Sequence, residues 1–198
     1  IDSILTIFNK QMSTWDPKSE ISIFNRWNSL DSFKVSDYFY NVVKEALSIS
    51  SKSKGMFDIT VFDLLSLWGF GPNPKSGIPG RDKIDSVLRH TGSKYLAADR
   101  NKLIKKHKKI RIDLNAIAKG YGVDILFNYI KSLGYKNLYV EIGGEVRFSG
   151  HNRNFDNWKI GLENPPSIST DLEDPFFAIF QGESIAIAAS ANYRNFVD

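Results

Sequence analysis

The segment IRIDLNAIAKGYGVD, residues 110–124, sets a carboxylate (Asp113), a carboxamide (Asn115) and an ammonium (Lys119) close together among small residues. Ile110, Ile112 and Leu114 alternate as a half-buried strand, and from about Ala116 to Leu133 the apolar spacing becomes helical. A helix start offers unpaired N–H groups and a partial positive charge, which suit phosphate. Lys119, one turn in, adds a full charge. Asp113 can hold a ribose hydroxyl, a ring N–H or a cation, and carbonyl oxygens around Asn115 and Ala116 are hard ligands of the kind Mg²⁺ accepts. The same residues also compose an ordinary strand–helix joint with an Asx cap and a solvated lysine. Both readings are open on local pattern.

Other stretches pose the same choice. In GMFDITVFDLLSLWGFG (residues 55–71), Asp58 and Asp63 interrupt an apolar run, and a buried carboxylate must find donors or a cation. Asp58 either caps the short helix that follows or meets a ligand. Trp15, beside Asp16-Pro17, either stacks on a purine or covers a core edge. Gly143-Gly144-Glu145 is a hairpin turn or a place where a ligand approaches a sheet. The run KLIKKHKKIR has neither interleaved aromatics nor a nucleic-acid-binding motif, so it reads as a solvated hairpin face and no nucleic-acid partner is expected. His90, His107 and His151 stand far apart without metal-ligand spacing, and no phosphate-binding glycine loop or G-x-S-x-G elbow is present.

The elements that position these residues follow from spacing. Ile1, Ile4, Leu5, Phe8 and Met12 predict an opening helix, followed by a polar loop, STWDPKSE. Ser36 predicts the cap of a second helix that buries Phe39, Val42, Val43, Ala46 and Leu47. Pro79-Gly80 precede a short helix with Ile84, Val87 and Leu88 that Gly92 ends. Asp99-Arg100-Asn101 joins two strands as a hairpin. The later helix turns Ile117, Leu126, Ile130 and Leu133 inward and stops at Gly134. Strands LYVEI, EVRFSG, NWKIGLE, FFAIF and SIAIAAS complete the chain. Helices come mainly first and strands later, so the class is α+β with a largely antiparallel sheet. With 42% apolar residues, the 198-residue chain can bury a core. The absence of cysteine excludes disulfides, thiolate metal sites and a cysteine nucleophile. No apolar run approaches the ~20 residues of a membrane span. A net charge of +4 favours anionic partners without naming one.

Taken in order, MSTWDPKSEISIFN, GMFDITVFDLLSLWGFG, IDLNAIAKGYGVD, YVEIGGEVRFSG, NWKIGLENP and SIAIAASANYRNF resemble the ApbE-type FAD:protein FMN transferases across nearly the whole chain. The resemblance implies an α+β fold with a T-fold-like core over residues 1–198. It also implies an Mg²⁺-dependent reaction in which FAD is cleaved at its pyrophosphate. FMN then passes to a Thr or Ser hydroxyl of an acceptor protein, such as a respiratory redox subunit, and AMP leaves. By the same resemblance Trp15 packs on the flavin nucleotide and Met56, Phe57 and Asp58 line the FAD site. Asp113 and Lys119 match FAD-contacting positions, and Ala116 matches a position that gives oxygen to the metal. The nucleophile then belongs to the acceptor, which accounts for the absence of an activated Ser or Cys here.

The chain departs from the family pattern in two places. AASANYRNFVD stands where T-S-G-D-Y-R is usual, and Asn115 stands where Ser is common. The resemblance further implies that a flavin-touching N-terminal strand and a C-terminal third with the remaining metal ligands lie outside these residues, so that the fragment alone has an incomplete metal site. It places the protein on the periplasmic side of the bacterial inner membrane, lipid-anchored. Two alternatives stand beside it: an FAD pyrophosphatase with water as acceptor, which shares the pocket, and a non-catalytic flavin-binding module.

Overall fold

The computed structural model describes residues 1–164 and 176–190, so Pro165 and the departure at 191–198 lie outside the described residues. The chain forms two compact units, Ile1–Ala118 and Lys119–Asp198. Among the described residues no helix is long and apolar enough to cross a membrane.

In the first unit, α1 (Asp2–Met12) buries Phe8 and Met12. The polar loop ends at Ser19, and a helix that spacing alone did not predict follows, α2 (Glu20–Arg26). Ser19 caps it by accepting the Ser22 N–H at 3.2 Å, and Ile21 and Phe24 are fully buried. Helix α3 (Asp37–Lys52) buries Phe39, Val42, Val43 and Ala46 as the spacing predicts, with Leu47 only half-buried. Ser36 occupies its N-cap position, but its hydroxyl donates to Glu20 Oε2 at 2.5 Å instead of accepting a helix N–H. The cap is thereby traded for a tie to α2. Three short strands, β1 (Phe33–Lys34), β2 (Leu96–Asp99) and β3 (Lys102–Lys105), pair antiparallel in the order β1-β3-β2. The β2–β3 hairpin pairs Asp99 with Lys102, and both turn residues, Arg100 and Asn101, take left-handed φ of 45° and 58°. Helices α4 (Phe62–Leu67) and α5 (Arg81–Leu88) lie between α3 and this hairpin in sequence.

Two expectations need correction here. Ile110, Ile112 and Leu114 are buried, but their segment is extended chain outside any ladder. Its backbone groups are met by a side chain and a turn, as described below. Nor is the basic hairpin wholly solvated: Lys105 is 1% exposed. Its Nζ donates to the Trp27 carbonyl at 2.8 Å and sits 4.7 Å from the Phe24 ring centroid. Burial, with Arg111 adding to it and Asp63 opposing, lowers its pKa to about 8.

The unit boundary falls inside α6 (Asn115–Ser132). This helix buries Gly122, Val123, Leu126 and Phe127. Ile117 and Ile130 are half-buried, and Leu133, past the helix end, is 58% exposed. The stripe is thus rotated from the predicted one. Phe127 anchors it, with the Arg147 guanidinium 4.3 Å from its ring centroid. In the second unit β4 (Leu138–Ile142), β5 (Glu145–Ser149) and β8 (Ser184–Ile187) form an antiparallel sheet. The strands β6 (Trp158–Glu163) and β7 (Phe176–Gly182) pair as an antiparallel ribbon. Alternation along β4 and β5 buries Leu138, Val140, Val146 and Phe148. Gly143 and Gly144, at φ 58° and 94°, close the β4–β5 hairpin in two residues, the left-handed geometry that glycine permits. The class is α+β with antiparallel sheets, as the sequence predicts.

Candidate functional site

The extended segment before α6 is the meeting point of the first unit. Asn25, near the end of α2, pairs its carboxamide with the backbone of Ile112. Its Oδ1 accepts the Ile112 N–H at 2.8 Å, and its Nδ2 donates to the Ile112 carbonyl at 2.8 Å. Asn25 thus stands in for a neighbouring strand. One residue on, the Asp113 N–H donates to the Ile59 carbonyl at 2.8 Å. Those three bonds bring together the motifs SEISIFN, FDIT and RIDLN, which lie far apart in sequence.

Asp113 is 7% exposed. Its Oδ1 accepts the Asn115 N–H and its Oδ2 the Asn115 side-chain N–H, both at 2.8 Å. Burial raises its pKa above the usual carboxylate value, while the two bonds from Asn115 act in the opposite sense. This is the Asx cap of the plainer reading. Each carboxylate oxygen keeps a second lone pair, so the cap leaves acceptor capacity for a ligand hydroxyl or ring N–H.

Asp58 likewise serves the fold. Its Oδ1 accepts the Thr60 N–H and hydroxyl, each at 2.7 Å, and its Oδ2 accepts the Ser93 N–H at 2.9 Å. It caps the 3₁₀ turn Ile59–Val61. Phe57 is half-buried, its N–H donating to Ser53 Oγ at 3.1 Å. Met56 is 90% exposed, and Trp15, in the α1–α2 loop, is 66% exposed. Large apolar groups left in water are available as stacking surfaces. Trp15 lines a recess of about 320 Å³ with Thr14, Asn25, Phe62 and Arg111. Asp63, the other carboxylate of that apolar run, forms an ion pair with Arg111 and lies 3.4 Å from His90 Nε2.

Lys119 belongs to the second unit. Its Nζ is 3.1 Å from Glu145 Oε1 and 3.5 Å from the Gly143 carbonyl. The Glu145 side chain is 16% exposed and that of Lys119 50%. Lys119 is therefore aimed at the β4–β5 turn, and its charge is largely matched within the protein. A Cβ on Gly143 would stand 3.4 Å from Lys119 Cδ, an ordinary contact, so it is the φ of 58° that calls for glycine here.

Ala116 lies in the first turn of α6, which presents N–H groups. No three His, Asp or Glu side chains come together as metal ligands among the described residues. These residues do not by themselves compose an Mg²⁺ site.

Asn25 and Ser93 are the positioning residues that spacing did not single out. A weak signal existed for the first. Asn is a poor helix former, and Asn25 sits beside the fully buried Phe24 in a helix of seven residues. Nothing local marks Ser93.

The ApbE family model matches residues 1–198. The chain belongs to the ApbE family. It is 38% identical over 199 residues to the FAD:protein FMN transferase of Vibrio cholerae, covering 100% of this chain and 58% of that protein. It is 32% identical to the protein of the same name from Haemophilus influenzae, covering 98% of this chain and 57% of that protein. Among solved structures, the flavin transferase ApbE from Vibrio cholerae superposes with a TM-score of 0.89 at 37% identity, covering 100% of this chain and 63% of that one. This ApbE-family chain therefore spans under two thirds of the length of these relatives.

Proposed function

We propose that the protein transfers FMN from FAD to a Thr or Ser hydroxyl of an acceptor protein, releasing AMP, in an Mg²⁺-dependent reaction. The observation that carries this reading is the junction of Asp113 with Ile59. That bond draws the FDIT and RIDLN motifs, matched by resemblance to FAD-contacting positions, into one place. The names of the relatives support flavin transfer. In this reading the exposed Trp15 indole and Met56 thioether give FAD an apolar surface, with Phe57 and Asp58 behind them. Asp113 accepts a hydrogen bond from the nucleotide through its remaining lone pairs, held in orientation by Asn115. Lys119, whose side chain is half-exposed beside Glu145, matches an FAD-contacting position by resemblance and is the cation for the phosphates in this reading. Mg²⁺ would supply charge neutralisation for a pyrophosphate. Its place in the proposal rests on the sequence match at Ala116.

The test uses the protein expressed from its complete gene, incubated with FAD, an acceptor protein, and Mg²⁺ or EDTA. A covalently bound fluorescent flavin on the acceptor, lost with EDTA, is expected. Free FMN and AMP with no flavin on the acceptor would make the protein an FAD pyrophosphatase. Saturable FAD binding with no product would make it a flavin-binding module.

A further inference from the structure

The first unit carries a second, larger recess, about 450 Å³, whose lining includes none of Trp15, Met56, Asp58 or Asp113. Five cations border it: Arg26 at the end of α2, Lys75 after α4, Lys108 and Lys109 after β3, and Arg111. The one carboxylate in the lining is Asp63, which is ion-paired with Arg111 and lies 3.4 Å from His90 Nε2. Arg26, Lys75, Lys108 and Lys109 have no ion-pair partner among the described residues. Four uncompensated positive charges thus come from three separate stretches of chain to the rim of one concavity. Solvated lysines on a hairpin need no such convergence. Gathering like charges costs stability, and concave walls focus the field they make. Trp27 and Val87 add an apolar wall.

We propose that this recess binds a multiply charged, phosphate-bearing small molecule. The volume lies in the range of small-ligand pockets, roughly 300–1,000 Å³. Lys75, Lys108 and Lys109 offer point charges for phosphate oxygens, and Arg26, whose Nη2 donates to the Pro17 carbonyl at 2.6 Å, keeps its other N–H groups for them. The apolar wall takes an organic substituent. An acidic protein segment is the other anion that such charges attract. A volume on the scale of a small ligand favours the small molecule, and the experiment separates the two. The recess shares Asn25, Arg26 and Arg111 with the one that Trp15 lines, and Lys75, Lys108 and Lys109 lie outside that lining and set it apart.

The probe is inorganic pyrophosphate, titrated calorimetrically into the protein at low salt without divalent metal. Saturable binding is expected, weakened about tenfold by Lys108→Ser/Lys109→Ser and again by raised salt, but unchanged by Lys44→Ser on the exposed face of α3. All the replaced lysines are solvent-exposed, so the variants should fold, and circular dichroism checks this. Absence of saturable binding overturns the proposal. So does a loss caused by Lys119→Ser and spared by the double variant, which would place the probe elsewhere. Tighter binding of a Glu-rich hexapeptide than of pyrophosphate would assign the recess to an acidic partner protein and overturn the small-molecule class.

Discussion

Replacing Asn25 with alanine tests how the candidate site is held. Ile112 is 0% exposed, so its N–H and C=O have no water to turn to when the carboxamide goes. Each buried backbone group left unpaired costs about 1–3 kcal/mol. Two such groups set the expected loss at about 2–6 kcal/mol, toward the lower end if the segment relaxes to admit water. Asn25→Asp is the informative companion. It keeps an acceptor for the Ile112 N–H but removes the donor to the Ile112 carbonyl. Urea unfolding gives the stability change, and amide hydrogen exchange reports the local one. The Ile112 amide should lose protection in Asn25→Ala and keep more of it in Asn25→Asp. The Asp113 amide, bonded to Ile59, should loosen along with it in the alanine variant. A stability loss below about 0.5 kcal/mol, the level of an ordinary surface substitution, with the Ile112 amide still protected would refute the claim that this side chain does the work of a strand.

Folding lowers the Lys105 pKa to about 8, below the ordinary value that the unfolded chain retains. The unfolded state then binds more protons between about pH 8 and 10.5, so this group makes stability rise with pH across that window, by up to about 3 kcal/mol. Urea midpoints at several pH values should show the rise in the parent and a flatter profile in Lys105→Met; parallel profiles would contradict it. Gly143→Val forces a β-branched residue into φ 58° beside the Lys119 stem. It should cost about 1–2 kcal/mol or more in thermal unfolding. Trp15→Ala, at a 66% exposed position, should change stability by less than about 0.5 kcal/mol. It should still weaken FAD binding about tenfold or more, as judged by flavin fluorescence; unchanged affinity would remove the indole from the site.

Local physics made much of this fold legible in the sequence. The apolar stripe of α3, the left-handed turn at Arg100-Asn101 and the Gly143-Gly144 hairpin each follow from side chains a few positions apart. Asp58 interrupts an apolar run and Asp113 stands at the joint before α6, and each meets a donor two residues on in sequence. Tertiary structure decided the rest. Ile110, Ile112 and Leu114 alternate like a strand, yet their neighbour is the Asn25 carboxamide, 87 residues before Ile112. Lys105 belongs to a run that reads as solvated, but the Trp27 carbonyl, 78 residues away, and the Phe24 ring hold it inside. His90 and His107 stack at 5.6 Å although spacing kept them apart. Periodicity tells a residue which way to face. It does not supply the partner on the other side, because that partner comes from a distant part of the chain, which only folding brings within hydrogen-bonding range.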